Sequence, residues 1–185
     1  MDPGTNIMGY AVLNTGLNKS EVEILSVLQM KKLSDPYSKL KFIYEKINML
    51  IEQYHPDILA IEAPFYGKNV QSMLKLGRAQ GIVIAASLHA GMEVYEYSPR
   101  KIKQSITGNG NASKEQVAKM VHFILKTDEN PEFFDATDAV GAAVCHSISK
   151  GKDVNYTKHT TEKAKAHRKP DWSKFIAENP DRIKN

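Results

Sequence analysis

Four acidic residues of this 185-residue chain have the types and settings needed for shared chemistry. Asp2 opens the turn-forming stretch Asp-Pro-Gly-Thr, and Glu62 ends the apolar run 58–61. Asp135 and Asp138 lie three positions apart in an apolar segment. A carboxylate buried without a partner is costly, and a divalent cation is well suited to compensate several converging carboxylates. These acids therefore indicate a magnesium-dependent reaction on phosphate groups.

The elements predicted around the acids can bring them to one point. Asp135 and Asp138 share one face in the first turn of a helix, where the helix dipole favours negative charge. Glu62 ends a strand, at the usual edge for sites in α/β sheets, and Asp2 precedes a Pro-Gly turn. Two divalent cations about 4 Å apart are expected there. An ordinary alternative stays open on spacing alone: a helix cap, a surface strand end and a terminal acid.

Hydrophobic periodicity predicts an α/β domain with a mixed central sheet flanked by helices, over residues 1–150. Strands are expected at 8–14, 22–30, 57–62 and 92–97, and helices at 36–54, 70–90, 114–126 and 134–149, with a short helix after Ser98. Gly77 and Gly81, inside helix 70–90, predict close packing against another element. Residues 151–185 are expected to form a flexible, basic, polar tail.

Composition excludes several classes of protein. The net charge of +4 lies in residues 151–185, which carry nine Lys/Arg and five Asp/Glu, so the rest is neutral. Cys145 is the only cysteine, which excludes an intrachain disulfide and a cysteine-rich zinc site. No apolar run approaches the roughly 20 residues of a membrane span, and no signal peptide is visible. We expect a cytoplasmic protein without a membrane partner.

Six segments, taken in order, resemble the RuvC family of Holliday junction resolvases in the ribonuclease H-like superfamily. They are residues 2–10, 61–69, 72–81, 97–104, 108–114 and 135–139. The resemblance covers about 2–149 and implies a ribonuclease H-like fold. It also implies an endonuclease of DNA recombination and repair. Such an enzyme nicks two strands of a four-way junction symmetrically, as a homodimer, and leaves 5′-phosphate and 3′-OH ends.

The same resemblance assigns roles to residues. Asp2, Glu62, Asp135 and Asp138 would be the catalytic, metal-binding acids, with two Mg²⁺ ions per subunit and Mn²⁺ as a substitute. RuvA and RuvB, the branch-migration proteins, are implied as partners by resemblance alone.

The implied DNA-binding residues are an aromatic side chain and four basic ones. Phe65 would probe the junction centre by stacking on a base, and Lys103 and Lys114 would contact phosphate. Arg100 and Lys101 would extend the phosphate track. The alternatives are a Phe65 that packs over the sheet edge and a solvated basic helix face. Helix 70–90 is either a dimer face or simple core packing, and sequence alone favours core packing.

The sequence departs from the family at its start, where only Met1 precedes Asp2 and the family has an apolar strand. The first strand is therefore expected to be largely missing, with reduced stability and poor positioning of Asp2. Either the native chain starts upstream, which we favour, or this chain is impaired. Adding an apolar hexapeptide before Asp2 should then restore the melting temperature and cleavage.

Three other functions are alternatives to junction resolution. One is a non-catalytic junction-binding protein, inactivated by the N-terminal truncation. Another is a ribonuclease H-like nuclease with a different substrate, which the Phe65 loop and the 103–114 segment argue against. An actin-like ATP-binding fold would need a second Asp-x-Gly phosphate loop, and the sequence has none.

Overall fold

The computed structural model describes residues 1–16, 20–64, 69–125 and 134–149. Nine elements follow one another in the order β-β-α-β-α-β-α-α-α. They are β1 (Ile7–Thr15), β2 (Ser20–Gln29), α1 (Pro36–Tyr54), β3 (Ile58–Glu62), α2 (Val70–His89), β4 (Glu93–Tyr97), α3 (Pro99–Thr107), α4 (Lys114–Leu125) and α5 (Phe134–Ser149). This order and these bounds match the predicted elements to within two residues.

The strands form two pairs. β1 and β2 are antiparallel and joined in a hairpin, with a register irregularity between Val12 and Leu13. β3 and β4 are parallel, and the intervening helix α2 makes the crossover that parallel pairing needs. Both kinds of pairing are therefore present, as expected for a mixed sheet.

Met1 and Asp2 join the two strand pairs. The amino group of Met1 donates to the carbonyl of Ala60 over 2.8 Å, and the amide of Glu62 donates to the carbonyl of Met1 over 3.1 Å. This is the pattern of a parallel ladder with β3. On the other side, Asp2 exchanges two backbone hydrogen bonds with Gly9 of β1, at 3.0 and 3.1 Å. Two residues, Met1 and Asp2, thus take the position of a short strand between β3 and β1.

Helices cover both faces of the strands and form two apolar clusters. Side chains alternate along β3: Leu59 and Ile61 enter the cluster on the α1–α2 side, whereas Ala60 packs on the α3–α4–α5 side. α5 contacts β1, β3 and the neighbouring α3. α5 therefore packs against β3, which carries Glu62, and against β1, with which Asp2 pairs.

Local capping explains the helix boundaries. Asp35 and Ser98 are N-caps, with a proline at the start of each following helix. His55 ends α1 in the left-handed conformation with φ +45°. Ser113 and Gln116 exchange side-chain-to-backbone bonds at the start of α4, which is the pattern of a capping box.

The expectation for Gly77 and Gly81 is wrong within this chain. A Cβ atom placed on either glycine would meet nothing within 4 Å. Neither position is therefore in close contact with another described element, and this side of α2 is open within the described part of the structure. The predicted tail, 151–185, lies outside the described residues.

Candidate active site at the end of strand β3

Glu62 is the centre of the candidate site. It is the last residue of β3, half-buried, and its backbone is fixed by the hydrogen bond to Met1. The next residue, Ala63, is also fixed, because its amide donates to the carbonyl of Tyr97 at the end of β4 over 2.8 Å. The Glu62 carboxyl therefore projects from a rigid strand end, as the sequence predicted.

The pKa of Glu62 is raised to about 7. Burial is the largest cause, and the negative charges of Asp2 and Asp138 add to it. The positive charges of Lys114 and of the Met1 amino group act in the opposite direction and are too weak to cancel the rise. Asp2, Glu62 and Asp138 thus form one electrostatic unit with a shortage of positive charge.

Asp2 is brought to this point by the strand stub and the turn after it. A Cβ on Gly4 would lie 1.7 Å from the carbonyl oxygen of Ile7, so only glycine fits this turn. The turn reverses the chain and allows Asp2 to pair with Gly9.

Asp138 and Lys114 form an ion pair beside Glu62. The Lys114 ammonium lies 2.9 Å from a carboxylate oxygen of Asp138. The Asp138 side chain is 26% exposed and that of Lys114 is 70% exposed, so the pair lies at the mouth of the site. Of the implied phosphate-binding lysines, Lys114 is the one whose charge acts on Glu62.

The other predicted residues are placed less fully. Asp135 belongs to the first turn of α5, as predicted, but its side chain lies outside the described part of the structure. Phe65 also lies outside the described residues. Arg100, Lys101 and Lys103 are on α3, Arg100 exposed and the two lysines half-buried. Their contact with phosphate stays a prediction.

The described acids have the ligand type that a divalent cation prefers, but they do not form a complete coordination site. Among side chains that the structure describes, which exclude Asp135, no group of three His, Cys, Asp or Glu residues is close enough to hold a metal. The oxygen ligands and the raised pKa of Glu62 both favour a hard divalent cation at this position.

Several residues with no assigned chemistry have structural roles. Asn69 caps α2, since its side chain accepts from the Ser72 amide over 3.1 Å. The N-cap preference of asparagine could have predicted this. Cys145 is buried beside Ser105. His146 packs on Tyr95 and shares a 2.7 Å hydrogen bond with the Tyr97 hydroxyl.

A family model described as "Crossover junction endodeoxyribonuclease RuvC" matches residues 1–146. The chain belongs to the RuvC family. RuvC proteins of Cytophaga hutchinsonii and Bacteroides fragilis are 50% and 48% identical to it. Both alignments cover 100% of this chain, with 86% of the first relative and 94% of the second.

Solved structures agree with this membership. RuvC of Thermus thermophilus has a TM-score of 0.72 at 29% identity, covering 80% of this chain and 92% of that one. The same protein in complex with a Holliday junction substrate also gives 0.72, at 27% identity, covering 80% and 90%. The ribonuclease H-like fold expected from sequence is therefore confirmed.

The curated RuvC relatives also align with the C-terminal segment. The family model stops at residue 146, in keeping with a resemblance that ends near 149. The alignments with the Cytophaga and Bacteroides proteins extend over the whole chain. The similarity to these two relatives thus extends beyond the segments that carry the resemblance and includes residues 151–185. No helix in the described residues is long and apolar enough to cross a membrane.

Proposed function

We propose that this protein is a structure-specific endonuclease that resolves Holliday junctions by symmetric nicking of two strands, leaving 5′-phosphate and 3′-OH ends. The observation that carries the proposal is the electrostatic unit at the end of β3, where Glu62 has a pKa of about 7 beside the Lys114–Asp138 pair. Family membership supports the substrate, since a RuvC relative has been solved with a Holliday junction.

The acids of the chain provide the binding site for the cations. Asp2 and Glu62 project from neighbouring strand ends and Asp138 from α5, with Asp135 as the fourth proposed ligand. Mg²⁺ is the proposed cofactor, two ions per subunit with Mn²⁺ as a substitute, and supplies activation of the attacking water and stabilisation of the leaving oxygen. Glu62 must lose its proton to act as a ligand, so cation binding is favoured above about pH 7.

Lys114 has two anionic partners in this proposal. In the structure it neutralises Asp138. When cations neutralise the acids, its long and largely exposed side chain becomes available to a DNA phosphate. Arg100, Lys101 and Lys103 would extend this phosphate contact along α3, and Phe65 would stack on a base at the junction centre.

A homodimer is proposed through the open side of α2. Val70, Leu74 and Leu88 are 64%, 53% and 40% exposed. They share one helix face with Gly77 and Gly81, where an added Cβ would meet nothing. An apolar face of this kind fits a two-fold contact between copies, and a two-fold enzyme matches paired nicking of a nearly two-fold junction.

The dimer is tested by sedimentation. Leu74→Glu should shift the protein to monomer, whereas Lys75→Glu, an exposed neighbour further round α2, should leave the dimer intact. A monomeric wild-type chain, or a dimeric Leu74→Glu variant, would remove this face from the proposal.

Cleavage of a synthetic mobile four-way junction with Mg²⁺ tests the activity. Paired, symmetric nicks in the junction are expected, with none in linear duplex of the same sequence. Glu62→Gln should bind the junction but not cut it. Cutting of duplex at a similar rate would contradict structure-specific resolution.

A second candidate is a junction-binding protein without catalysis. The short pairing of Asp2 favours it, because the backbone of Asp2 bridges a single residue, Gly9, among the described strands. Junction binding without cleavage at saturating Mg²⁺ would select this candidate. RuvA and RuvB remain partners by resemblance alone, and access to chromosomal DNA implies a cytoplasmic location.

A further inference from the structure

Two side chains of α3, Thr107 and Gln104, hold the loop between α3 and α4, residues 108–113. The Thr107 hydroxyl lies 3.0 Å from the Asn109 carbonyl oxygen and accepts from the Asn109 amide over 3.1 Å. Gln104 makes two further hydrogen bonds to the loop. The Nε2 atom of Gln104 donates to the carbonyl of Gly108 over 2.6 Å. Its Oε1 atom accepts from the amide of Gly110 over 2.9 Å. Both ends of the side-chain amide are therefore used on two backbone groups of the same turn.

The rest of the loop is closed by its own groups. The Asn109 side chain accepts from the Asn111 amide over 3.0 Å, and the Asn109 carbonyl accepts from the Ala112 amide over 3.1 Å. Ala112 is buried, which anchors the far end of the loop. These amides are occupied internally, so they do not form an anion-binding nest.

The loop also folds back onto α3. A Cβ on Gly110 would lie 2.7 Å from Cγ of Arg100 and 3.3 Å from the Arg100 carbonyl oxygen. Gly110 therefore allows a close approach that the Gln104 hydrogen bonds hold in place.

The loop leads directly into the first turn of α4. Ser113 is the N-cap, paired with Gln116, and Lys114 is the first helical residue. The Lys114 ammonium then reaches 2.9 Å from Asp138. Ten residues after Gln104, the same connection thus delivers the one lysine that acts on Glu62.

We propose that Gln104 is a positioning residue, whose amide fixes the loop 108–113 so that α4 presents Lys114 to the acids. The inference rests on the proposed function and adds a residue to it. Gln104 is exposed and belongs to neither apolar cluster. Its loss should therefore loosen the loop without unfolding the domain.

The test compares Gln104→Ala with Gln53→Ala, an exposed glutamine at the end of α1. Single-turnover cleavage of the four-way junction is measured at saturating enzyme and Mg²⁺, together with junction affinity. Gln104→Ala should lower the cleavage rate about tenfold, as expected for a misplaced reacting group, with affinity changed less than about twofold. Gln53→Ala should match the wild type in both.

A double-mutant cycle separates positioning from a general structural effect. If Gln104 acts through Lys114, Gln104→Ala should cause no further loss of rate in a Lys114→Ala background. Equal losses in both backgrounds, or a wild-type rate for Gln104→Ala, would overturn the inference.

A labelling experiment decides the inference even if the wild-type protein cuts nothing, a result that would refute the proposed function instead. Mild acetylation followed by mass spectrometry compares Lys114 with exposed Lys119 on the same helix. The ion pair with Asp138 holds the Lys114 ammonium in place, so Gln104→Ala should release it and raise the relative labelling of Lys114 about threefold. Unchanged labelling would overturn the inference.

Discussion

Extending the chain before Met1 should stabilise it, because the Met1 amino group is buried. Burial lowers the pKa of that group from 8.0 to about 6, with Asp2 and Glu62 acting in the opposite direction. In the unfolded chain the amine keeps its ordinary pKa, so the unfolded state binds more protons between pH 6 and 8. Stability from this group therefore rises with pH across that window and is lost as pH falls through it.

The size of the effect follows from the shift. At pH 7 the unfolded amine is mostly protonated and the folded amine mostly neutral, which costs about 1.4 kcal/mol. At pH 6 and below the cost approaches about 2.7 kcal/mol. For a domain of this size, 1 kcal/mol corresponds to roughly 2–5 °C in melting temperature, so the effect is measurable.

A cavity next to Met1 gives a second reason why an N-terminal extension should stabilise the fold. It has a volume of about 600 Å³ and is lined by β1, the end of α1 and β3. Within the described residues, Asp2 is the one partner on the edge of β1 that faces away from β2. An apolar hexapeptide before Met1 spans about 20 Å as a strand and would pair with both open edges.

Three forms of the N-terminus separate charge from strand pairing in a thermal melt from pH 6 to 9. Nα-acetylated Met1 loses the charge but keeps one N–H for Ala60, so it should melt higher than the free amine at pH 6 and equally at pH 9. An apolar hexapeptide should melt higher still at every pH. A Gly/Ser hexapeptide should resemble the acetylated form.

The charge of the Met1 amine also acts on Glu62, so the three forms are compared in a Glu62→Gln background, where their differences isolate the N-terminus. Equal melting temperatures for the free and acetylated forms at pH 6 would refute the burial argument. Equal melting temperatures for the apolar and Gly/Ser extensions would refute strand pairing.

Three further predictions concern the site and its support. Mg²⁺ should raise the melting temperature more at pH 8 than at pH 6, because Glu62, with a pKa of about 7, must first lose its proton. Glu62→Gln should abolish this pH dependence. An equal rise in the wild type at both pH values would contradict the role of Glu62 as a ligand. Lys114→Ala should move the rise of cleavage rate to higher pH, because its charge lowers the pKa of Glu62; an unmoved profile, or the same move in Lys119→Ala, would count against that role. Ile61→Ala should lower the free energy of unfolding, measured by chemical denaturation, by about 2–5 kcal/mol, because Ile61 is fully buried. Ile58 on the same strand is 38% exposed, so Ile58→Ala should cost less than about 1 kcal/mol. Similar losses at both positions would contradict the core assignment.

The elements could be predicted from sequence because their signals are local. Asp35, Ser98 and Ser113 are caps recognisable from residue type and position. The alternating side chains of β3 and the helical spacing in α1 likewise depend only on neighbours in the chain.

Features that depend on contacts distant in sequence were missed or misinterpreted. The glycines of α2 suggested close packing, but their open side is visible only once the neighbours of the helix are known. The two hydrogen bonds from the Gln104 side chain depend on how the loop 108–113 folds back onto α3, which residue type alone does not specify. The convergence of Asp2, Glu62 and Asp138 came from resemblance and chemical plausibility, whereas the pKa of Glu62 required their positions.

The two-residue strand stub makes the acid site part of a seam between two half-sheets. Asp2 is paired with β1, whereas Glu62 belongs to β3, and within the described residues the backbone of Met1 and Asp2 connects the two strands. A cation bound by both carboxylates would therefore link the two strand pairs across this seam. Cation binding would then shift the equilibrium between an open and a closed seam towards the closed form. By thermodynamic reciprocity, closing the seam raises the affinity for the cation by the same factor.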